Sequence, residues 1–214
     1  MSDWVYEGIG TGEFILSEAQ GYRSRETITL EGGSKYVAGS VLGKVTVGAA
    51  AAAAKVGNAG NGTVGTITVG AAKPGVYVVT FIEPATNGGA FQMEDPDGVN
   101  AGTGAVGAAF TGGGLTFTIA DGAADFAAGD QFKIVVAAGS NRLKLWNPAN
   151  IDGSETAVAV LYDNVDATAG HRPAVIFARD CEVNGQLLTF FSGATDNQKA
   201  AAAAQLAALG TIVR

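Results

Sequence analysis

The amino-acid sequence predicts a mainly β protein with a C-terminal α-helix. We expect an α+β domain that carries an inserted all-β domain of sandwich or barrel type. Three observations predict this fold class. The composition shifts to Gly, Ala, Thr and Val between Val56 and Gly139. Apolar and polar residues alternate with the two-residue period of a strand in many short segments. A single alanine-rich helical pattern lies near the C-terminus, over residues 199–209.

The segment 56–139 also differs from its flanks in charge. It holds 18 of the 32 glycines and seven carboxylates, against only Lys73 and Lys133, whereas the whole chain has a net charge of −7. Because binding to phosphate requires positive charge, this composition excludes nucleic acid as an expected partner. We therefore expect an inserted domain over 56–139 that projects into solvent.

The N-terminal flank begins with 20 residues that show little periodicity and in which glycines are interspersed with charged groups. We expect residues 1–20 to form an extended arm that is ordered only when it is docked to a partner. Residues 25–30 alternate as a strand, and residues 36–47 predict further strand structure. We expect residues 21–48 and 141–214 to form one discontinuous domain.

Six consecutive alanines, Ala49–Ala54, mark the start of the insertion. They are compatible with a short connecting helix or with a featureless spacer, and we expect the spacer. Within the insert, alternation predicts five strands, over 64–69, 76–82, 90–94, 114–120 and 132–136. Turn sequences such as Pro96-Asp97-Gly98 separate them. Short strands in this arrangement are typical of a β-sandwich or a small barrel.

The C-terminal flank contains the clearest local signals. Thr195 and Gln198 have the spacing of a capping box, which predicts the start of a helix. The helix is expected over 199–209, with an apolar stripe formed by Ala202, Leu206 and Leu209, and Gly210 predicts its left-handed end. A short strand is expected after it, and two strands before it, over 174–178 and 186–191.

No catalytic, metal or cofactor site is predicted. The single histidine, His171, excludes a two-histidine metal centre within the chain and is expected in a surface turn. Cys181 lies between two acidic residues, which raise the pKa of a thiol and oppose a nucleophilic role. The two G-x-G-x-x-G matches, at 60–65 and 102–107, run into strand-like sequence rather than a helix, unlike a dinucleotide site. Asp95-Pro-Asp97 lacks the spacing of a calcium loop.

The chain also lacks the features of an exported or membrane protein. Its first residues show neither the basic region nor the apolar region of a signal peptide. No segment approaches the ~20 apolar residues of a membrane span. We expect a soluble protein that is synthesised in the cytoplasm and has no membrane partner.

Five segments of the two flanks together resemble the lambda-type bacteriophage head decoration protein family: Glu13–Thr27, Val41–Val45, Asp152–Ala157, Arg179–Asn184 and Ala200–Gly210. The resemblance implies a non-enzymatic cement protein that forms homotrimers at threefold and quasi-threefold sites on the exterior of the expanded head. It also implies an N-terminal arm that pairs with the major capsid protein. The chain departs from short members of the family in its long insert.

The same resemblance implies which residues contact the capsid. Phe14, Ile15 and Leu16 lie where the arm of the family engages the capsid, and Arg23 and Arg25 are candidates for contact with an acidic rim. The apolar tripeptide is of a kind that adds a strand to an exposed sheet edge. The insert is expected to project outward as a β-rich knob, whose role is adsorption to a host surface or glycan, or further stabilisation.

Two other classes of protein fit the sequence less well. The insert by itself is compatible with a non-capsid adhesin or a carbohydrate-binding β-module, but the missing signal peptide and the divided outer domain argue against it. An enzyme is disfavoured because no catalytic constellation is present.

Overall fold

The computed structural model describes residues 8–214, and the chain divides into two compact units. The first unit contains the described residues up to Val45 together with Asn141–Arg214, and the second is Thr46–Ser140. The second unit therefore begins before the composition shift at Val56, because residues 46–55 belong to it. Each unit contains its own buried apolar core.

The described residues contain nineteen strands and one α-helix. Before the insertion lie β1 (Ile15–Glu18), β2 (Arg25–Leu30), β3 (Lys35–Tyr36) and β4 (Val41–Lys44). The second unit contains β5 (Val47–Ala54), β6 (Thr63–Val64), β7 (Thr68–Val69), β8 (Gly75–Ala85), β9 (Gly88–Glu94), β10 (Asn100–Ala105), β11 (Ala109–Gly112), β12 (Leu115–Ala120) and β13 (Gln131–Ala138). After it come β14 (Leu143–Leu145), β15 (Ala157–Leu161), β16 (Val165–Asp166), β17 (Arg172–Phe177), β18 (Cys181–Val183), α1 (Asp196–Ala208) and β19 (Thr211–Val213).

A closed barrel forms the centre of the first unit, with the strand order β14-β2-β17-β15-β4. A separate three-stranded sheet of the same unit has the order β1-β18-β19. Strand β4 pairs with both β14 and β15, and Gly43 lies at the crowded point of this pairing. A Cβ atom on Gly43 would lie 2.1 Å from the backbone oxygen of Ser154, so only glycine fits there.

The helix α1 begins as predicted. The hydroxyl of Thr195 accepts a hydrogen bond from the backbone N–H of Gln198, and the Gln198 side chain accepts one from the backbone N–H of Thr195. Ala202 and Leu206 are buried, but Leu209 is 47% exposed, so the predicted apolar stripe is one residue too long. Leu209 is the C-terminal cap, where the chain turns away from the helix axis into Gly210 at φ +91°.

The strand predicted over 186–191 is wrong. Residues Gly185–Leu187 form a single 3₁₀ turn, because the Asn184 side chain accepts a hydrogen bond from the backbone N–H of Gln186 at 3.0 Å. In the described chain, the pairing of this segment is limited to one isolated bridge, between Thr189 and Ser40.

The second unit is a β-sandwich, as the alternation in the insert predicted. A five-stranded antiparallel sheet in the order β10-β9-β8-β13-β5 faces a smaller sheet in which β12 pairs with β11, β6 and β7. One apolar core lies in this unit. All seven aromatic residues of the unit are buried in it: Tyr77, Phe81, Phe91, Phe110, Phe117, Phe126 and Phe132.

The polyalanine segment is neither a helix nor a spacer. It lies in β5, where Ala50–Ala54 pair in register with Val136–Phe132 of β13. Alanine is the best helix former, but its propensity amounts to only tenths of a kcal/mol per residue and is overridden by tertiary pairing. The neighbouring strand β13 therefore decides the conformation of this segment.

Candidate functional site

The residues with a predicted surface role lie directly before, in and after β1, and they differ in exposure. Phe14 is 0% exposed and packs edge-on against Phe177, with 6.0 Å between the ring centroids. Its side chain is therefore part of the core of the first unit and is not available to a partner. Ile15 is half-buried against the same core, whereas Leu16 is 53% exposed.

The expected free arm over 1–20 is only partly described, since residues 1–7 lie outside the described residues. From Thr11 onward the chain is attached to its own unit. The Thr11 hydroxyl donates to the Asp163 carboxylate at 2.5 Å, and the backbone N–H of Gly12 donates to the Tyr162 carbonyl at 3.2 Å. Residues Ile15–Glu18 then form β1, so this part of the segment is already ordered as a strand.

Strand β1 lies at an edge of its sheet. It pairs antiparallel with β18, and within residues 8–214 no strand pairs with its other side. The register shifts between Ile15 and Ser17, so Leu16 lies at a bulge. An unpaired edge presents backbone N–H and C=O groups to which another extended chain can add. The edge of β1 with Leu16 is thus the described part of the predicted contact segment that remains accessible.

Arg25 connects β1 to β2. Its guanidinium group donates two hydrogen bonds to the Glu18 carboxylate, at 2.8 and 2.6 Å. The same group lies 4.6 Å from the ring centroid of Tyr162 and 5.1 Å from that of Tyr22. The hydrogen bonds to Glu18 raise the pKa of Arg25 above its ordinary value. The N–H groups of Arg25 bind Glu18, and its guanidinium group also lies close to two tyrosine rings. Arg25 therefore positions its neighbours and is not a free cation for a partner.

Arg23 is exposed, and its guanidinium Nε lies 3.2 Å from the Asp180 carboxylate. The other arginines near β1 and β18 are paired in the same way: Arg179 with Glu26 and Arg214 with Glu182. The bond from Arg214 lowers the pKa of Glu182. Each of these four arginines thus forms an ion pair with a carboxylate of the same chain. An acidic partner could bind one of these arginines only by displacing its carboxylate.

Tyr22 was not singled out from the sequence. Its side chain is 70% exposed, and its backbone has φ +59°, directly after Gly21 at φ +76°. This left-handed conformation is uncommon for a bulky residue. The sequence offered only the weak signal of a Gly-Tyr turn between β1 and β2.

The other chemically interesting residues have local partners. The Nδ1 atom of His171 accepts a hydrogen bond from the backbone N–H of Gly32 at 2.9 Å. Cys181 is buried, and burial, together with the nearby Glu18 and Asp180, raises the pKa of its thiol. Within the part of the chain that the structure describes, no three His, Cys, Asp or Glu side chains cluster as metal ligands. Over the same residues, no helix is long and apolar enough to cross a membrane.

One cleft of the first unit measures about 420 Å³ and is lined partly by Glu31, Lys35, Lys144 and Phe191. Its two lysines have carboxylate partners, Lys144 with Asp152 at 2.6 Å and Lys35 with Asp166 at 3.1 Å. The pairing with Lys144, together with bonds from Ser154, outweighs the effect of burial and lowers the pKa of Asp152. The cleft therefore contains structural ion pairs rather than the perturbed acid and base of a catalytic site.

Comparison with solved structures adds little. The flagellar protein FlgL of Xanthomonas campestris is 20% identical over 48% of this chain and 34% of its own, with a TM-score of 0.34. The flagellar hook junction protein FlgK of Burkholderia pseudomallei is 22% identical over 63% of this chain and 23% of its own, also with a TM-score of 0.34. This chain spans about a third or less of the length of these two proteins, and structural similarity this weak does not indicate a shared fold or function. No curated protein matches the sequence.

Comparison with protein families is informative. The model of bacteriophage lambda head decoration protein D matches residues 4–211, which includes both flanks of the insertion. The barrel, α1 and the strands β1 and β18 of the first unit all lie within this match, which ends at the first residue of β19. The chain therefore belongs to the bacteriophage lambda head decoration protein D family.

Proposed function

We propose that this protein is a cement protein that binds as a homotrimer at threefold and quasi-threefold sites on the outer surface of an expanded phage head and stabilises the head. The observation that carries the proposal is the family match over residues 4–211. Decoration of a head is a structural activity, and it needs an accessible docking surface rather than a reactive site.

The edge of β1 is our proposed docking surface for the major capsid protein. An extended capsid segment would add to β1 opposite β18, so that backbone hydrogen bonds supply affinity and Leu16 supplies an apolar contact. Phe14 supports this strand from the core, and Arg25 holds it to β2 through Glu18. Arg23 lies at the rim of the same surface as an exposed ion pair.

The proposal assigns the parts of the chain to different tasks. The N-terminal segment and the discontinuous outer domain bind the head, and the inserted sandwich points away from it. The buried aromatic core of the sandwich leaves no aromatic ring on which a sugar would stack. No feature of the described residues favours the alternative, an adhesin or carbohydrate-binding module.

The test is addition of purified protein to expanded heads that lack it. We expect saturable occupancy, three copies at each threefold site in cryo-EM density of the decorated heads, and heads that survive heating or chelator better than bare heads. Failure to bind heads would reject the proposal. Density for single copies at sites other than the threefold positions would reject its trimeric part.

The docking surface has its own matched pair of variants. Leu16→Asp places a charge on the β1 edge and should strongly reduce head occupancy. Leu209→Asp changes a similarly exposed leucine, 47% against 53%, at the end of α1 and should leave occupancy unchanged. Equal head occupancy for both variants would show that the docking surface is not the edge of β1.

A further inference from the structure

We propose that Tyr22 is the anchor residue of the surface formed by the β1 edge, and that the capsid partner receives its ring in an uncharged, largely apolar pocket. This inference rests on the proposed function and deepens it, because it states the chemistry that the partner presents.

The backbone of Tyr22 has a conformation that is unfavourable for a bulky side chain. Gly21 and Tyr22 are consecutive left-handed residues, at φ +76° and +59°. Glycine adopts this conformation freely, whereas in tyrosine the Cβ atom makes it energetically unfavourable. The strain is not offset by burial, since the side chain is 70% exposed. Strained residues of this kind cluster at sites of binding and switching.

The ring is also held in place before any partner arrives. The Arg25 guanidinium lies 5.1 Å from the centroid of the Tyr22 ring and is itself fixed by two hydrogen bonds to Glu18. Tyrosine has few rotatable bonds, so a ring that is already oriented loses little entropy on binding. Glu18 lies two residues after Leu16 in β1, and the ion pair therefore connects the ring to the strand edge.

The surroundings indicate the chemistry of the partner. The four arginines near β1 and β18 are paired with four carboxylates of the same chain: Arg23 with Asp180, Arg25 with Glu18, Arg179 with Glu26 and Arg214 with Glu182. Because these four arginines are already paired within the chain, none of them is left to select an acidic partner. The distinguishing groups of this surface are the exposed ring of Tyr22 and the side chain of Leu16, and exposed tyrosines are enriched among the residues that dominate binding energy.

The experiment compares head binding with fold stability. Tyr22→Gly removes the ring and relieves the backbone, so thermal stability should be unchanged or higher while the Kd for expanded heads rises about 30-fold, the equivalent of about 2 kcal/mol. Tyr22→Asn serves as a second variant, because asparagine also adopts the left-handed conformation readily. Val37→Ala, another exposed apolar residue of the first unit, should bind as the unaltered protein does.

The outcomes distinguish the anchor role of Tyr22, the uncharged pocket of the partner and the proposed function from one another. Binding of both Tyr22 variants within about twofold of the unaltered protein would overturn the anchor role while leaving the proposed function intact. Lower stability of Tyr22→Gly would show that the ring supports the fold and would also overturn it. A steep loss of affinity with salt would overturn the uncharged pocket. If the unaltered protein fails to bind heads, the proposed function falls and this inference with it.

Discussion

Asp130 shows how a single residue organises the loops of the sandwich. It is 6% exposed, and its carboxylate accepts hydrogen bonds from the backbone N–H groups of Ala59, Gly60 and Ala127, at 3.0, 2.9 and 3.0 Å. Burial raises the pKa of this carboxyl, but the three donors outweigh burial and leave the pKa below its ordinary value of 3.8. The charged form therefore stabilises two loops that are far apart in sequence.

Replacing Asp130 by alanine should lower the free energy of unfolding of the second unit by about 3 kcal/mol at pH 7, because three backbone N–H groups lose their charged acceptor. Amide hydrogen exchange of the sandwich strands measures the loss. Glu83→Ala, an exposed carboxylate of β8, is the control and should change little.

The pH dependence of the same variant has a definite sign. Because the pKa of Asp130 is depressed in the folded state, its stabilisation is complete above pH ~4 and is lost as the pH falls through the lower folded-state value. The difference between the unaltered protein and Asp130→Ala should therefore shrink as the pH falls below about 4. A difference that stays constant in acid would contradict this account.

Residue by residue, the sequence indicated which side chains are apolar but not which of them are buried. Phe14, Ile15 and Leu16 are adjacent and similar in character, yet they are buried, half-buried and exposed in turn. The bulge in β1 and the ring of Phe177 decide this order, and both depend on segments more than 150 residues away.

At the level of elements, α1 and its C-terminal cap contain a buried and an exposed leucine three residues apart. Leu206 is 0% exposed in the core that includes Phe14 and Trp146, whereas Leu209 is 47% exposed. The helix is also attached to β15, since the Gln205 side chain accepts a hydrogen bond from the backbone N–H of Ala157 at 2.7 Å.

Leu206→Ala should therefore destabilise the first unit by about 3 kcal/mol, through lost burial and the cavity left behind. Leu209→Ala should cost less than about 1 kcal/mol. Urea denaturation followed by tryptophan fluorescence measures both, since Trp4 and buried Trp146 both lie outside the second unit. Equal effects of the two variants would mean that α1 packs in another orientation.

Elements with strong local signals were predictable, and elements that depend on a distant partner were not. The capping box of α1 satisfies backbone groups within four residues, so the sequence alone reveals it. The alanines of β5 contain no such local signal. They form a strand because β13, about 80 residues later, supplies their hydrogen bonds.

For the whole molecule, the path of the chain explains how a domain can be divided. At the point of insertion, the backbone N–H of Val45 donates to the carbonyl of Arg142 at 3.0 Å, and that of Asn141 donates to the carbonyl of Val45 at 2.9 Å. The two ends of the first unit are thus neighbours, and the chain leaves and re-enters the unit at one place. An insertion there need not disturb the barrel.

Deleting residues 46–140 and joining Val45 to Asn141 through a Gly-Asn-Gly linker should leave the first unit folded and able to bind heads. Circular dichroism, the fluorescence of Trp146 and head occupancy measure this. Deleting only 56–139, the boundaries suggested by composition, should yield an aggregating protein, because β5 remains without β13. Loss of folding in the larger deletion would show that the first unit depends on the second.

The sequence by itself determined the class of the fold, the presence of an insert, and the cap and end of α1, because these depend on composition, periodicity and short-range spacing. The resemblance of its flanks to known head decoration proteins indicated the family. The tertiary structure decided where the second unit begins, that the alanines form a strand, that Phe14 is buried while Leu16 and Tyr22 are exposed, and that the arginines near β1 are already paired. The reason is physical. Burial, strand pairing and charge balance are set by residues brought together from distant parts of the chain, and a linear pattern does not contain their positions.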